Sequence, residues 1–279
     1  MCIPAPRPPF RRSLLMALLA PLALLVPLRA SSCLRSLVAP VAPTALNVII
    51  KGELISGALV EFLQTVAQRG GCALQLRSLP RPRLDRMFFS DEVDILFPAS
   101  RTSTRDRHAE FVAWFQLQPH LVMVNWNTEH VGSLRELLQR PSWHAVVVRS
   151  YSWGDIYDEL LQQLDRLGRV TYVADLKTVH AMLRAGHARF TLLPPSLLYN
   201  SMKTDHQPAG LPADFSYQLL QDLPAAVVGM YLNPRRIAPD DIERLRRASA
   251  RAVRDGTLSR NLSNYYAPEM LAIDTKVLP

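Results

Sequence analysis

The stretch that decides the fold is VDILFPASRTSTRDRHAEFVAWF, residues 93–115. It opens on a short aliphatic run between Glu92 and Pro98, and such a run predicts a buried strand rather than a helix. A basic, hydroxyl-rich loop follows, and a second apolar run covers residues 111–115. Hydroxyl and guanidinium groups at the carboxyl end of a buried strand suit a carboxylate or another anion. The stretch therefore predicts a ligand site, and it carries no catalytic signature.

The same stretch resembles the family 3 extracellular solute-binding proteins of bacterial ABC transporters. Their pattern places an Asp before an apolar strand, then Ser/Thr-x-Thr-x-x-Arg, then a segment that ends in an aromatic residue. Asp94, Thr104 and Arg107 occupy the matching positions, in a slightly longer loop. The resemblance extends in short patches over residues 46–266. It implies an α/β, two-lobed periplasmic-binding-protein fold (Venus flytrap, type 2) with two hinge crossings.

Strand and helix patterns alternate on both sides of this stretch, as in an α/β domain. Residues 46–50 predict a first strand, and the spacing of apolar residues predicts an amphipathic helix over 240–254. The resemblance implies that residues 46–123 and 228–279 form lobe 1. Residues 124–227 are expected to form lobe 2.

Residues 1–32 have the features of a secretory signal. Arg7, Arg11 and Arg12 precede an apolar core, and small residues follow it. The core is shorter than the ~20 residues that a spanning helix needs, so export to the periplasm is favoured over a retained anchor. Residues 33–45 are rich in proline and alanine without periodicity, which predicts a linker.

The cysteines leave one alternative open. Cys33 follows small residues, as a lipid-modified cysteine does, but Ala30 stands where a lipobox carries Leu. Lipid attachment at Cys33 and a soluble periplasmic product are both compatible with this pattern. Because Cys2 lies in the signal, Cys72 is expected to be a lone thiol packed in the core, without a disulfide. We expect no metal or other cofactor, because no Cys/His cluster has ligand spacing.

Composition argues against a nucleic-acid partner. The chain of 279 residues is long enough for two domains with their own cores. Its formal charge is +8, but four arginines and no acidic residue lie in the first thirty residues, so a processed chain carries 8 − 4 = +4. The arginine-rich face of the helix over 240–254 is therefore expected to be solvated, and no nucleic-acid binding is expected.

A second donor-rich place follows the strand predicted over residues 145–148. The next helix is expected to begin at Ser152 as N-cap, with Asp155 three residues later. Free amide groups at a helix start attract anions, and in the resembling family this place holds the carboxylate of the ligand. The resemblance implies these ligand-binding residues: Ser100, Thr102, Thr104, Arg107, Ser150, Tyr151 and Ser152.

Each of these residues also has a simpler alternative. Arg107 suits an ion pair with Asp106 or Glu110, and Thr104 suits a turn cap. The ring of Tyr151 suits either the cleft or the surface. Two further arginines beside prolines, Arg81 and Arg83, suit either the cleft or solvent.

Residues 186–196 depart from the resembling amino-acid binders. Arg189 stands in place of a first acid and Pro194 in place of a second, which would pair with the ammonium group of the ligand. A cleft without that carboxylate has no partner for a buried α-ammonium, whose desolvation is costly. We therefore expect a small polar solute that is anionic rather than zwitterionic.

The expected function is capture of this solute by a monomeric periplasmic protein and its delivery to an ABC permease in the inner membrane. One alternative is a ligand-sensing partner of a separate receptor. The other is a dehydratase of the same fold, which needs a general acid or base such as His108 or His187. Neither histidine has a defined direction in the sequence, so we expect binding without catalysis.

Overall fold

The computed structural model describes residues 1–2, 33–125, 129–202 and 214–279. Residues 32–279 form one unit and residues 1–31 another. Apart from Met1 and Cys2, the signal expected over residues 1–32 lies outside the described residues. Within the described ranges, no helix has the length and apolar character needed to cross a bilayer.

Strands and helices alternate along most of the chain. The strands are β1 (Leu37–Val41), β2 (Ile49–Lys51), β3 (Leu54–Ser56), β4 (Leu74–Ser78), β5 (Ile95–Ser100), β6 (Glu110–Leu117), β7 (His120–Val124), β8 (Ala145–Val148), β9 (Val170–Val173), β10 (Thr191–Leu193), β11 (Phe215–Gln218), β12 (Ala226–Leu232) and β13 (Thr275–Val277). The helices are α1 (Ala58–Gly70), α2 (Arg81–Phe89), α3 (Ser103–Asp106), α4 (Leu134–Leu138), α5 (Asp155–Arg166), α6 (Leu176–Arg184), α7 (Pro195–Met202), α8 (Pro239–Arg254), α9 (Thr257–Ser263) and α10 (Pro268–Asp274).

Lobe 1 combines the first and last parts of the described chain. Its antiparallel sheet has the strand order β13-β6-β12-β5, and a parallel pair, β1 and β4, packs beside β5. Helices α1, α8 and α9 pack on one another in this lobe. The amphipathic helix predicted over residues 240–254 is confirmed as α8. It buries Ile242, Leu245, Ala248, Ala252 and Val253, as the helical spacing requires.

Lobe 2 contains the middle of the chain. Strands β10, β7 and β11 form an antiparallel sheet, and β8 pairs in parallel with β9. A bridge between Ala145 and Phe190 connects β8 to the start of β10. Strand β7 pairs with β10 and β11, whereas β6, two residues earlier in the chain, pairs with β12 and β13.

The segment expected to be a linker is a core strand. Strand β1 lies within residues 33–45 and buries Leu37, Ala39 and Val41 completely or almost so. The prolines of this segment suggested a linker, but its aliphatic side chains pack in the core and make it a strand. The strand predicted over residues 46–50 is instead the start of a short hairpin, β2-β3.

A buried carboxylate connects three segments of lobe 1. Asp94 is fully buried and accepts hydrogen bonds from both terminal nitrogens of Arg35 at 2.6 and 2.7 Å. It also accepts from the Val38 amide at 2.6 Å and from Nε of Arg236 at 2.7 Å. Burial opposes its ionisation, but these hydrogen bonds dominate and lower the pKa of Asp94. The network fixes the start of β5, whose far end carries Ser100.

A disulfide corrects the expectation for Cys72. Cys33 and Cys72 are bonded to each other, and the Cys33 amide donates to the Gly71 carbonyl at 2.9 Å. The sequence predicts no partner for Cys72 because it places Cys33 in a linker. In the structure, β1 packs in the core and holds the preceding Cys33 beside the end of α1. The bond uses the sulfur of Cys33 that a lipid anchor would need.

We expect Cys72→Ala to lower the free energy of unfolding by about 2–4 kcal/mol, because a cross-link restricts the unfolded chain. The two cysteines are 39 residues apart. Urea unfolding without reductant measures the effect. The matched control is reductant, which should lower the midpoint of the unsubstituted protein and leave that of Cys72→Ala unchanged. Alkylation of both Cys33 and Cys72 in urea without reductant would contradict the bond.

Candidate functional site

A small cavity lies between the lobes, at the carboxyl ends of β5 and β8. Its volume is about 40 Å³. Such a space holds a few water molecules, since each needs about 10–15 Å³ measured in this way. Lobe 1 supplies Thr44, Asn47, Arg81, Pro98, Ala99, Ser100, Leu117 and Val228; lobe 2 supplies Tyr151, Ser152, Trp153 and Leu197.

Direct hydrogen bonds close the lobes on each other. The Ser100 hydroxyl donates to the Ser152 carbonyl oxygen at 2.7 Å. Beside the cavity, the Ser103 amide donates to both carboxylate oxygens of Asp155, at 3.0 and 3.1 Å, and the Ser103 hydroxyl adds a third bond at 3.2 Å. The structure is therefore in a closed arrangement, and an organic solute can enter only if these contacts separate.

Another bond across the lobes involves the last helix. The Ser196 amide at the start of α7 donates to the carboxylate of Asp274 at 2.7 Å. Asp274 ends α10 and is buried, and burial raises the pKa of Asp274 to about 6. Helix α10 near the carboxyl terminus is thus bonded to α7 of lobe 2.

The cationic group on the cavity wall is Arg81. Its Nη1 donates to the Pro98 carbonyl at 3.0 Å, and its Nε lies 3.5 Å from Asp85. That Nε is buried without a hydrogen-bond partner in the part of the chain that the structure describes. Helix α2 positions this side chain, because Arg81 is the first residue of the helix. Arg83, by contrast, is exposed.

A second guanidinium, Arg105, lies beneath the cavity wall. Its side chain is buried, and Nη1 donates to the Ser100 carbonyl at 2.9 Å. Its Nη2 lies 3.6 Å from the carboxylate of Asp85. Burial, together with the nearby charge of Arg81, lowers the pKa of Arg105. Arg105 thus holds the end of β5 and shares Asp85 with Arg81.

Behind Ser152 lies a carboxyl group with a shifted pKa. The Ser152 hydroxyl donates to Asp158 at 2.8 Å and accepts from the Gly154 amide at 3.2 Å. Burial raises the pKa of Asp158 to about 6, although the bond from Ser152 and the charge of Arg105 act in the opposite direction. Ser152 is therefore not the N-cap of α5, which begins at Asp155 after Gly154.

The structure brings some of the expected site residues together and leaves others apart. Ser100, Tyr151 and Ser152 line the cavity. Ser150 does not line it; this residue adopts a left-handed backbone conformation (φ 65°) in the turn that delivers Tyr151. Thr102 is the N-cap of α3, and its hydroxyl accepts from an amide of that helix.

Thr104 and Arg107 lie outside the cavity lining. Both are exposed, and Nη2 of Arg107 donates to the Thr104 hydroxyl at 3.2 Å. The pattern Ser/Thr-x-Thr-x-x-Arg fits the chain in two registers, and the earlier one ends at Arg105. Arg105 is buried and donates to the Ser100 carbonyl of β5, whereas Arg107 is exposed.

The structure corrects the expected position of Arg189. Arg189 precedes β10, so it lies at the amino end of that strand, whereas the interlobe cavity is at the carboxyl ends. It lines a separate pocket with His144 and His187. Arg189 therefore does not line the interlobe cavity, and the cation among the described lining residues of that cavity is Arg81.

Solved structures share this two-lobed architecture. A histidine kinase sensor domain with similarity to periplasmic binding proteins is 13% identical, with a TM-score of 0.67 and coverage of 84% of this chain and 96% of that one. An amino acid ABC transporter substrate-binding protein from Streptococcus pneumoniae, bound to L-arginine, is 13% identical, with a TM-score of 0.65 and coverage of 83% and 94%. An ancestral amino acid-binding protein, a precursor of cyclohexadienyl dehydratase, is 10% identical, with a TM-score of 0.63 and coverage of 82% and 93%.

The likeness to these structures defines the fold. The chain has the two-lobed α/β fold of periplasmic binding proteins, as the sequence patterns predicted. No protein-family profile matches the chain, and no curated protein matches it. Because proteins with one fold can have different functions, the residues of the site determine the function of this protein.

We expect Asp158→Asn to change how stability depends on pH. A carboxyl group whose pKa rises from 3.8 to about 6 on folding stabilises the fold below pH 3.8, and this contribution is lost as pH rises through 6. Because Asn carries no charge, the variant should gain up to about 3 kcal/mol relative to the unsubstituted protein between pH 4 and 7. Urea unfolding of both proteins at several pH values measures this difference. If the difference in unfolding free energy between the two proteins did not vary with pH, the raised pKa of Asp158 would be contradicted.

Proposed function

We propose that this protein is a periplasmic solute-binding protein that captures a small anionic solute between its lobes and delivers it to an ABC transporter. The observation that carries the proposal is the charge of the cavity lining. Arg81 supplies a guanidinium, and none of the described lining residues is acidic. A guanidinium beside hydroxyl and amide donors suits a carboxylate.

The lining also argues against an ordinary α-amino acid. An α-ammonium needs an acceptor with negative charge when it leaves water. Asp85 is the nearest carboxylate to Arg81, and it is already shared with Arg105. Pro194, which stands in place of the second acid, has no side-chain acceptor. A simple carboxylate therefore fits the cavity better than a zwitterion.

Closure links binding to transport. In the closed arrangement Ser100 bonds to Ser152 directly. A solute between them would take over these donors and acceptors, so it would stabilise closure by contacts that the open state lacks. Hinge closure of this kind changes the surface formed by the two lobes together, which is the feature a permease can recognise.

Two other roles use the same fold. The likeness to a histidine kinase sensor domain supports a sensory partner as the second candidate. Loss of solute uptake in a strain that lacks the protein would favour transport, and loss of a ligand-dependent transcriptional response with uptake intact would favour sensing.

A dehydratase needs a general acid or base in the cavity. His108 and His187 lie outside the cavity lining, and His108 bonds to the Phe88 carbonyl at 2.9 Å. Steady product absorbance from prephenate or arogenate would overturn the binding role.

We expect simple carboxylates to raise the melting temperature more than amino acids do. Acetate, lactate and succinate should be compared with alanine, glutamate and arginine at constant ionic strength. A ligand at a hundred times its Kd adds about 2.7 kcal/mol, which corresponds to several degrees. Stabilisation by ordinary amino acids alone would contradict the charge argument.

We expect Arg81→Ala to abolish the stabilisation by carboxylates, because the substitution removes the charged donor of the cavity. Arg83→Ala, in the same helix but exposed, is the matched control, and Arg107→Ala is a second exposed control. Both controls should retain the ligand-induced shift. A shift lost in Arg107→Ala and retained in Arg81→Ala would place the anion site outside the cavity.

A further inference from the structure

A second concave pocket lies at the end of lobe 2 that faces away from the interlobe cavity. It has a volume of about 460 Å³, and its polar lining consists of Ser142, His144, His187 and Arg189. Ser142 and His144 precede β8, and His187 and Arg189 precede β10. The pocket therefore lies at the amino ends of these strands, and we name it the distal pocket.

The guanidinium of Arg189 is held in place at the wall of the distal pocket. Its Cζ lies 5.1 Å from the ring centre of Trp143, and the Arg189 amide donates to the His144 carbonyl at 2.8 Å. A second guanidinium, Arg140, lies 4.8 Å from the same ring. Stacking on a buried indole limits the positions of the side chain, so Arg189 is preorganised.

One donor of this guanidinium lacks an acceptor. Nη2 of Arg189 is buried, and no hydrogen-bond partner for it occurs in the part of the chain that the structure describes. A buried donor without a partner is costly, so no competing acceptor of the protein neutralises this guanidinium. None of the described lining residues of the distal pocket is acidic. Arg189 as a whole is half-buried and lines the pocket, so a ligand there meets its guanidinium without a competing carboxylate from the lining.

We propose that the distal pocket binds a phosphate group, either as inorganic phosphate or as a soluble phosphate monoester. The guanidinium, the Ser142 hydroxyl and two imidazoles offer donors from two segments of the chain. The His144 ring is fixed by a bond of 2.8 Å to the Thr171 hydroxyl. Donors supplied by two segments of the chain can contact several oxygens of a tetrahedral oxyanion, whereas a carboxylate presents two oxygens in one plane.

Isothermal titration tests this proposal with inorganic phosphate and with glycerol 3-phosphate, each at constant ionic strength. We expect saturable binding that Arg189→Gln weakens at least about tenfold, since hydrogen bonds to charged groups are lost. His187→Ala, which replaces an exposed side chain, should weaken binding severalfold. Thermal melting confirms that each variant is folded. The tighter of the two probes identifies the source of the phosphate group.

Two arginine variants serve as matched controls. Arg81→Gln removes the cation of the interlobe cavity, and Arg184→Gln removes an exposed charge on lobe 2 that does not line the distal pocket. Both should bind phosphate with unchanged affinity. Loss of binding in Arg81→Gln would locate it in the interlobe cavity, and equal loss in Arg184→Gln would indicate general attraction by charge. Either result would overturn the proposal, as would the absence of saturable binding or unchanged affinity in Arg189→Gln.

Discussion

Lobe 1 depends on the pairing of one fully buried carboxylate. Asp94 takes donors from Arg35 before β1, from the Val38 amide within β1, and from Arg236 after β12. A charge removed from water is tolerated only when it is paired in this way. The network holds β1 and the segment after β12 against the start of β5. Since β5 ends at Ser100, it also sets the position of the cavity wall.

The interlobe site combines closure with little internal space. Bonds across the lobes join Ser100 to Ser152 and Ser103 to Asp155, and the cavity that remains holds only a few water molecules. A solute therefore competes with contacts that the protein makes with itself. This competition favours a compact solute with strong acceptors, which can replace the lost bonds and also pair with Arg81. Solute binding and hinge motion are therefore thermodynamically coupled.

The two ends of the lobe 2 sheet carry different chemistry. At the carboxyl ends of its parallel strands, Tyr151 and Ser152 face lobe 1. At the amino ends, Arg189 stacks on Trp143 beside two histidines. A short strand such as β10 is enough to separate Arg189 from the interlobe cavity. A charged residue next to a strand can therefore be assigned to a site only when it is known at which end of the strand it lies.

The sequence by itself determined helix α8, and the family resemblance of its motifs predicted the two-lobed α/β architecture and a position near the cavity for Ser100, Tyr151 and Ser152. Periodicity gave the helix, and the order of the motifs gave the resemblance; both depend on near neighbours in the chain. The sequence did not show that Arg105 is buried and Arg107 exposed, because the same motif fits both positions. Tertiary structure alone decided that Arg81 lines the cavity, that Arg189 faces away from it, and that Cys33 meets Cys72. Each of these outcomes depends on packing between segments that are distant in sequence, and no local pattern encodes such contacts.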